Sequence, residues 1–241
     1  MALLMMMAER WTPREVLDAR LEARRRDGHN PFPRTYDPTL VDHADRLGEV
    51  DGDNEIATGR TDLRHLPLVT IDPPDAKDFD DAVCLMEEDG RRTLWVAIAD
   101  VAHYVRTGTA LDRSAAARAT SVYLPHTVLP MLPPKLADEL CSLRANVDRL
   151  AMVIGMELDE NDTIVQTKAY EAVIHVKANV AYGDVLETDA YNDMLALAAT
   201  WQSREIRLNL NNPELRPRLH GQDELRVEVK LSLIHISEPT R

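Results

Sequence analysis

Five aspartates fall within ten residues at Asp72-Pro73-Pro74-Asp75-Ala76-Lys77-Asp78-Phe79-Asp80-Asp81. The β-prone run Leu68-Val69-Thr70-Ile71 precedes them, and a second run over 82–86 follows. No other feature constrains the chain as strongly. Strands imply partial burial, and buried carboxylates without partners repel one another and are costly to desolvate. Either some of them are protonated or a divalent cation neutralises them. An exposed loop would tolerate the same composition. Residue type alone leaves a solvated acidic loop and a metal site equally open.

Hard cations such as Mg²⁺ take oxygen ligands. The spacing does not fit an EF-hand, because the sixth position counted from Asp78 is Val83, where that loop needs glycine. A compact Mg²⁺ or Mn²⁺ site fits better. In an extended chain Asp78 and Asp80 share a face, while Asp80 and Asp81 oppose each other. A turn at that point lets all of them converge. A carboxylate-only site suits phosphoryl chemistry, where divalent ions clamp the attacking and leaving oxygens.

The chain has 241 residues, 28 Lys+Arg and 41 Asp+Glu, for a net charge of −13. That total argues against binding a polyanion, since phosphate backbones attract basic surfaces. The excess is local, however. Residues 35–100 hold 17 acidic and 6 basic side chains, whereas residues 1–34 hold 5 and 7. Bound divalent ions there would reverse the local sign. The length fits one full domain with a small appendage. No apolar run approaches the ~20 residues of a membrane helix. Residues 1–8 are apolar but too short, with no basic lead, for a signal peptide. Two cysteines, Cys84 and Cys141, make no disulfide framework and point to the reducing cytoplasm. A cytoplasmic monomer is expected.

Periodicity and turn chemistry place the elements. A helix is expected over 12–26, capped by Thr12 and Glu15, followed by a loop over 27–38. A short helix over 39–47 and a turn-rich stretch over 48–54 come next. Strands are expected over 68–71, 82–86 and 94–99, the last two joined at Asp89-Gly90 as a hairpin. A helix over 111–119 carries a Thr109/Asp112 capping box. Another is expected over 134–143. Strands over 151–158 and 163–176 are joined by the turn 159–162, and helices follow over 182–187 and 189–210. Mixed strands and helices argue an α/β domain. His103, His126 and His175 are isolated, and neither cysteine is given a chemical role.

The residues resemble a known family. Thr70-Ile71-Asp72 followed by Asp75-Ala76-Lys77-Asp78-Phe79-Asp80-Asp81-Ala82 is similar to the catalytic signature of the RNB family, the exoribonucleases II and R. The resemblance continues through Trp95-Val96-Ala97-Ile98-Ala99-Asp100-Val101, Thr120-Ser121-Val122-Tyr123-Leu124-Pro125, Pro130-Met131-Leu132-Pro133 and Leu140-Cys141-Ser142-Leu143. Upstream it includes Gly59-Arg60-Thr61-Asp62-Leu63, so it runs in order over about 58–187. It implies a 3′-to-5′ exoribonuclease that hydrolyses single-stranded RNA to nucleoside 5′-monophosphates with Mg²⁺ or a similar ion. It implies that Asp72, Asp78, Asp80 and Asp81 are metal ligands, with Asp80 the most critical for catalysis. Tyr123 matches a tyrosine that stacks on RNA near its 3′ end. Tyr182, in Val180-Ala181-Tyr182-Gly183-Asp184, matches a second tyrosine near the scissile nucleotide. A non-catalytic RNA-binding member is the alternative, which the intact carboxylate set opposes.

The expected organisation is an N-terminal helical and loop segment over 1–57, an incomplete RNB catalytic domain over 58–230, and a foreign tail over 231–241. The family pattern includes a downstream Arg-Arg-Tyr segment and an OB-fold, and neither occurs in this sequence. Cold-shock domains are not evident at the start. Leu231-Ser232-Leu233-Ile234-His235-Ile236-Ser237-Glu238-Pro239-Thr240-Arg241 resembles a translated transposase adapter from a sequencing library. The natural protein is therefore expected to continue past Lys230. Sequencing the coding DNA across codon 231 checks this, and codons that differ from the adapter overturn it.

Overall fold

The computed structural model describes residues 35–124, 127–204, 214–220 and 224–230. The helix expected over 12–26, His126 and the tail 231–241 lie outside the described residues. The strands are β1 (Thr61–Asp62), β2 (Val69–Asp72), β3 (Asp81–Glu88), β4 (Arg91–Ala99), β5 (Val122–Leu124), β6 (Thr127–Leu129), β7 (Asp148–Leu158), β8 (Ile164–His175), β9 (Ala178–Ala181), β10 (Glu214–His220) and β11 (Glu224–Lys230). The α-helices are α1 (Pro38–Asp45), α2 (Gly52–Ala57), α3 (Val101–Tyr104), α4 (Ala110–Arg118), α5 (Tyr182–Glu187) and α6 (Asn192–Arg204). The chain divides into two units, residues 37–113 with 132–207, and residues 1–36 with 114–131 and 208–241.

The larger unit is built on one seven-stranded mixed sheet in the order β1-β8-β7-β4-β3-β2-β9. The outer pairs β1/β8 and β2/β9 are parallel, and the inner pairs are antiparallel. The expected hairpin is present between β3 and β4. Asp89 and Gly90 both take positive φ, 51° and 73°, the turn whose twist matches the flanking strands.

Register explains the core. Ala82, Ala97 and Val153 lie opposite one another on β3, β4 and β7, and Ala99, Ala151 and Ala172 form the next row. Paired residues share a sheet face. These small side chains leave room for Leu63, Leu66, Leu68 and Leu143 to pack on that face, all buried with them in one cluster.

Four local details depart from the sequence expectation. Residues 48–54 contain the start of α2. Its caps, Asp51 accepting from the Asn54 amide at 3.2 Å, and Gly52 at its first position give the segment a turn-like composition. A Cβ at Gly52 would stand 2.7 Å from Asp148 Oδ2 and would push that carboxylate aside. At α4 the Thr109 hydroxyl accepts from the Asp112 amide at 3.3 Å, but the Asp112 carboxylate takes the Gly108 amide at 2.8 Å instead of that of Thr109. The helix expected over 134–143 is a six-residue π-helical turn, Lys135–Leu140, in which the Cys141 amide reaches Leu136 O at 2.9 Å. The helix expected over 189–210 is divided. A 3₁₀ turn, Asp189–Tyr191, capped by the Thr188 hydroxyl, precedes α6, and residues 205–210 lie outside the described residues.

In the smaller unit β5 and β6 form a short hairpin, and β10 pairs with β11 from Glu214↔Lys230 to His220↔Glu224. Arg118, 5 % exposed, lies 3.8 Å over the Tyr36 ring and donates to Thr35 O at 2.9 Å.

Leu68 leads directly into β2 and is fully buried. Leu68→Ala is expected to lower stability by about 2–5 kcal/mol, as large-to-small core changes do. Ile164→Ala, at a position 45 % exposed, is expected to stay within about 0.5 kcal/mol. Urea unfolding of the two variants checks the pair.

Candidate metal centre

The acidic segment occupies the end of the sheet. β2 terminates at Asp72, the connection 73–80 turns back, and Asp81 opens β3 opposite Ile98. The chain therefore bends between the carboxylates, as convergence requires. The Ala99 amide donates to Asp80 O at 2.9 Å, which ties the end of the connection to β4. β9 runs parallel to β2 with Ala181 opposite Asp72, so Tyr182, the first residue of α5, follows at the same sheet end.

The connection has few ladder bonds of its own and is held from the side. The Ser142 hydroxyl donates to Lys77 O at 2.6 Å and accepts from the Phe79 amide at 3.1 Å. The Leu143 amide donates to Phe79 O at 2.8 Å. Asn179, opposite Thr70 in the register, donates to Thr70 Oγ1 at 3.0 Å and to Leu143 O at 3.1 Å.

Electrostatics link the carboxylates. Burial pushes the Asp72 carboxyl above its ordinary value, the neighbouring Thr70 hydroxyl opposes this, and Asp81, Asp78 and Asp80 push it further up. Asp80 is raised by desolvation and then by Asp78 and Asp81. Asp81 is raised by desolvation. Asp80 and Asp81 still reach water, which screens part of that effect. By contrast, Asp62 is held down to about 2 by hydrogen bonds from the Arg64 guanidinium.

The structure thus brings Asp72, Asp78, Asp80 and Asp81 into one field and sets Tyr182 beside Asp72 in the backbone register. Tyr123 is 67 % exposed on β5, in the smaller unit. A fifth carboxyl, Asp138 on the π-helical turn, is raised by burial and by Asp78. Its sequence neighbourhood, Lys135-Leu136-Ala137-Asp138-Glu139, carries no signal beyond an ordinary charged helix. Ser142 lay inside a motif but had no role that its residue type announced. Cys84 and Cys141 are buried, and burial pushes both thiols up to about 12, which removes them as nucleophiles at neutral pH. His175 is not isolated, since its Nδ1 lies 2.8 Å from Asp148 Oδ1.

The donor set fits a hard cation. Asp72 Oδ2 is buried and has no hydrogen-bond partner, the orphaned acceptor that a cation would satisfy. Oxygen donors of like charge at one end of a sheet are the ligands Mg²⁺ and Mn²⁺ take. Among the described residues no set of three acidic, imidazole or thiol side chains already stands in liganding geometry.

Residues 60–216 match the RNB domain. The chain belongs to the RNB family. Ribonuclease R of Vibrio parahaemolyticus is 47 % identical over 155 residues, which cover 64 % of this chain and 18 % of that relative. This chain therefore spans less than a fifth of that relative's length. Among solved structures, Mycoplasma genitalium RNase R in complex with ribose methylated single-stranded RNA aligns with a TM-score of 0.73 and 28 % identity, over 84 % of this chain and 35 % of that one. Yeast Ssd1, a pseudonuclease, aligns at 0.59 and 18 % identity and shows the fold alone. The mixed α/β architecture expected from the sequence is that of the RNB domain.

The raised carboxyls make a prediction about pH. They bind protons more tightly in the folded chain than in the unfolded one. Without a cation, their contribution to stability is present at low pH. It is lost as pH rises from the ordinary aspartate value of 3.8 through the raised values. Mn²⁺ binds the deprotonated form, so the rise in Tm that it produces is expected to grow across the same window. Thermal melts with and without Mn²⁺ at about pH 4.5 and about pH 7.5 measure this. Asp72→Asn is expected to raise the metal-free Tm and to shrink the Mn²⁺ effect. An equal Mn²⁺ effect at both pH values overturns the assignment.

Proposed function

We propose that this chain carries the acidic, cation-binding part of an exoribonuclease site. In this reading it acts on single-stranded RNA from the 3′ end and releases nucleoside 5′-monophosphates. One observation carries the reading: four carboxylates charge-coupled at one sheet end, with a buried Asp72 oxygen that lacks a partner. The family supports it, and so does the likeness to an RNase R whose structure holds single-stranded RNA.

Asp72, Asp78, Asp80 and Asp81 are the residues that hold Mg²⁺, with Mn²⁺ an acceptable substitute. A bound divalent ion supplies Lewis-acid activation and charge neutralisation at the scissile phosphate. Asp80, at the bend between the connection and β3, is the ligand on which the chemistry depends most. Tyr182 and Tyr123 hold the end of the strand by stacking on bases, an interaction that is indifferent to sequence because every base has a π-face. Among the described residues no helix is long and apolar enough to cross a membrane, and we read the protein as a cytoplasmic monomer. The intact carboxylate set favours a catalytic member of the family over a purely RNA-binding one.

A chimera tests this with the chain's own residues. Its matching stretch replaces the corresponding 155 residues of the Vibrio parahaemolyticus Ribonuclease R. The chimera is expected to degrade a labelled single-stranded RNA to mononucleotides, and chelation is expected to stop it. Asp80→Asn in the chimera is expected to lower the rate by more than the about 10–100-fold typical of residues outside a metal's ligand set. Tyr182→Ala is expected to weaken RNA binding by about 1–3 kcal/mol, the range for losing one stacked base. An Asp80→Asn chimera at the parental rate overturns the reading.

A further inference from the structure

Ser142 is 1 % exposed, and Arg149, at 2 %, is the largest of the fully buried side chains among the described residues. Neither is a ligand candidate. The two are connected, and together they reach the acidic connection. Arg149 Nε donates to Ser142 O at 2.9 Å, and Nη2 donates to Glu139 O at 3.0 Å. These carbonyls lie at and just beyond the end of the π-helical turn, where helices leave acceptors without partners. Arg149 therefore caps the turn with its side chain. Its charge is met by Glu49, 2.6 Å from Nη1, and Nη1 also donates to Asp148 O at 3.0 Å.

With its carbonyl fixed, Ser142 presents its hydroxyl to the connection. One oxygen donates to Lys77 O and accepts from the Phe79 amide, the two residues that flank Asp78. The Leu143 amide holds Phe79 O, so Phe79 is gripped at both backbone groups. Residues 73–80 form no strand or helix that could resist the repulsion between their own carboxylates. Ala99 ties its end, and the bonds on both sides of Asp78 come from Ser142, 65 positions from Lys77 and 63 from Phe79.

We propose that Ser142 is the positioning residue of this site. It fixes the backbone on both sides of Asp78, from which residues 78–81 would close on a cation, and Arg149 holds Ser142. The inference rests on the reading of the aspartates as a cation site. Removing the hydroxyl leaves Lys77 O and the Phe79 amide without their partner and releases the connection to its own charge repulsion.

The test is a titration of the metal-free chain with Mn²⁺ alone, with the metal-free Tm measured in parallel. Ser142→Ala is expected to fold and to bind Mn²⁺ about 10–100-fold more weakly, the range for residues that orient metal ligands. Ser142→Thr, which keeps the hydroxyl, is expected to restore most of the affinity. Asp80→Asn is the reference arm. If Asp80→Asn weakens binding while folded Ser142→Ala binds as wild type, the positioning role is overturned and the cation site stands. If neither changes binding, the cation site falls and this inference with it. If Ser142→Ala does not fold, amide exchange in the wild-type protein decides the matter. Slow exchange at Phe79 supports the grip, and exchange at the rate of an open loop overturns it.

Discussion

Charge repulsion among the aspartates at one end of the sheet is the constraint around which the larger unit is arranged. Like charges brought together in a partly desolvated place raise one another's proton affinity and drive the chain apart. A sheet end whose ladder stops at Asp72 and restarts at Asp81 has little of its own to oppose that force. The opposition comes from a rigid neighbour. Ser142 and Leu143 bond the connection, Asn179 bonds Thr70 and Leu143, and Arg149 fixes Ser142. The alanine rows of β3, β4 and β7 matter for the same reason. Small side chains let Leu143 sit close against the sheet, which brings its amide to Phe79 O.

Arg60, Arg64 and Arg149 are each committed to other carboxylates. Arg60 bonds Glu55 at 3.1 Å and Asp100 at 2.6 Å. Arg64 pairs with Asp53, Asp62 and Asp148. Arg149 is closed in by Glu49 and three backbone carbonyls. Each of these pairings is to a carboxylate outside the cluster. Arginine beside Asp72 or Asp80 would lower its carboxyl and cap its oxygens, as Arg64 does for Asp62. Here burial and like charges raise those carboxyls instead. Burial and like charge acting together on Asp72 and Asp80 favour a multivalent ion, which is what separates this cluster from an ordinary acidic surface.

The parts legible in sequence were local. Asp89-Gly90 fixed the β3–β4 hairpin, and the turn over 159–162 between the runs 151–158 and 163–176 marked β7 and β8. The aspartates lie within ten residues, so their density was visible before any fold was known. The supports were not legible, because each is an ordinary residue made important by a distant partner. Ser142 reads as a small polar residue after a cysteine. Asp138 reads as one charge on a charged helix. Arg149 reads as a surface arginine until the strand that carries it turns it inward. The π-helical turn was missed for a related reason. Its composition suits an α-helix, and the wider winding is bound up with Arg149 taking the carbonyls at its end, a contact no local pattern encodes.

This division between legible and hidden parts has a consequence for the net charge of −13. Polyanion binding and a surplus of acid conflict only if the acid faces the polyanion unneutralised. Residues 35–100 hold most of the surplus, and two groups stand out among the acids there. Asp53, Asp62, Glu49, Glu55 and Asp100 pair with Arg60, Arg64 and Arg149, whose charge offsets part of theirs. The cluster aspartates form the second group, and in the proposed reading a divalent ion would offset their charge at the point where a phosphate approaches. Local neutralisation, not total charge, therefore decides whether this surface repels a nucleic acid. In the proposed reading, a phosphodiester would meet a cation-bearing sheet end within a chain that is acidic overall.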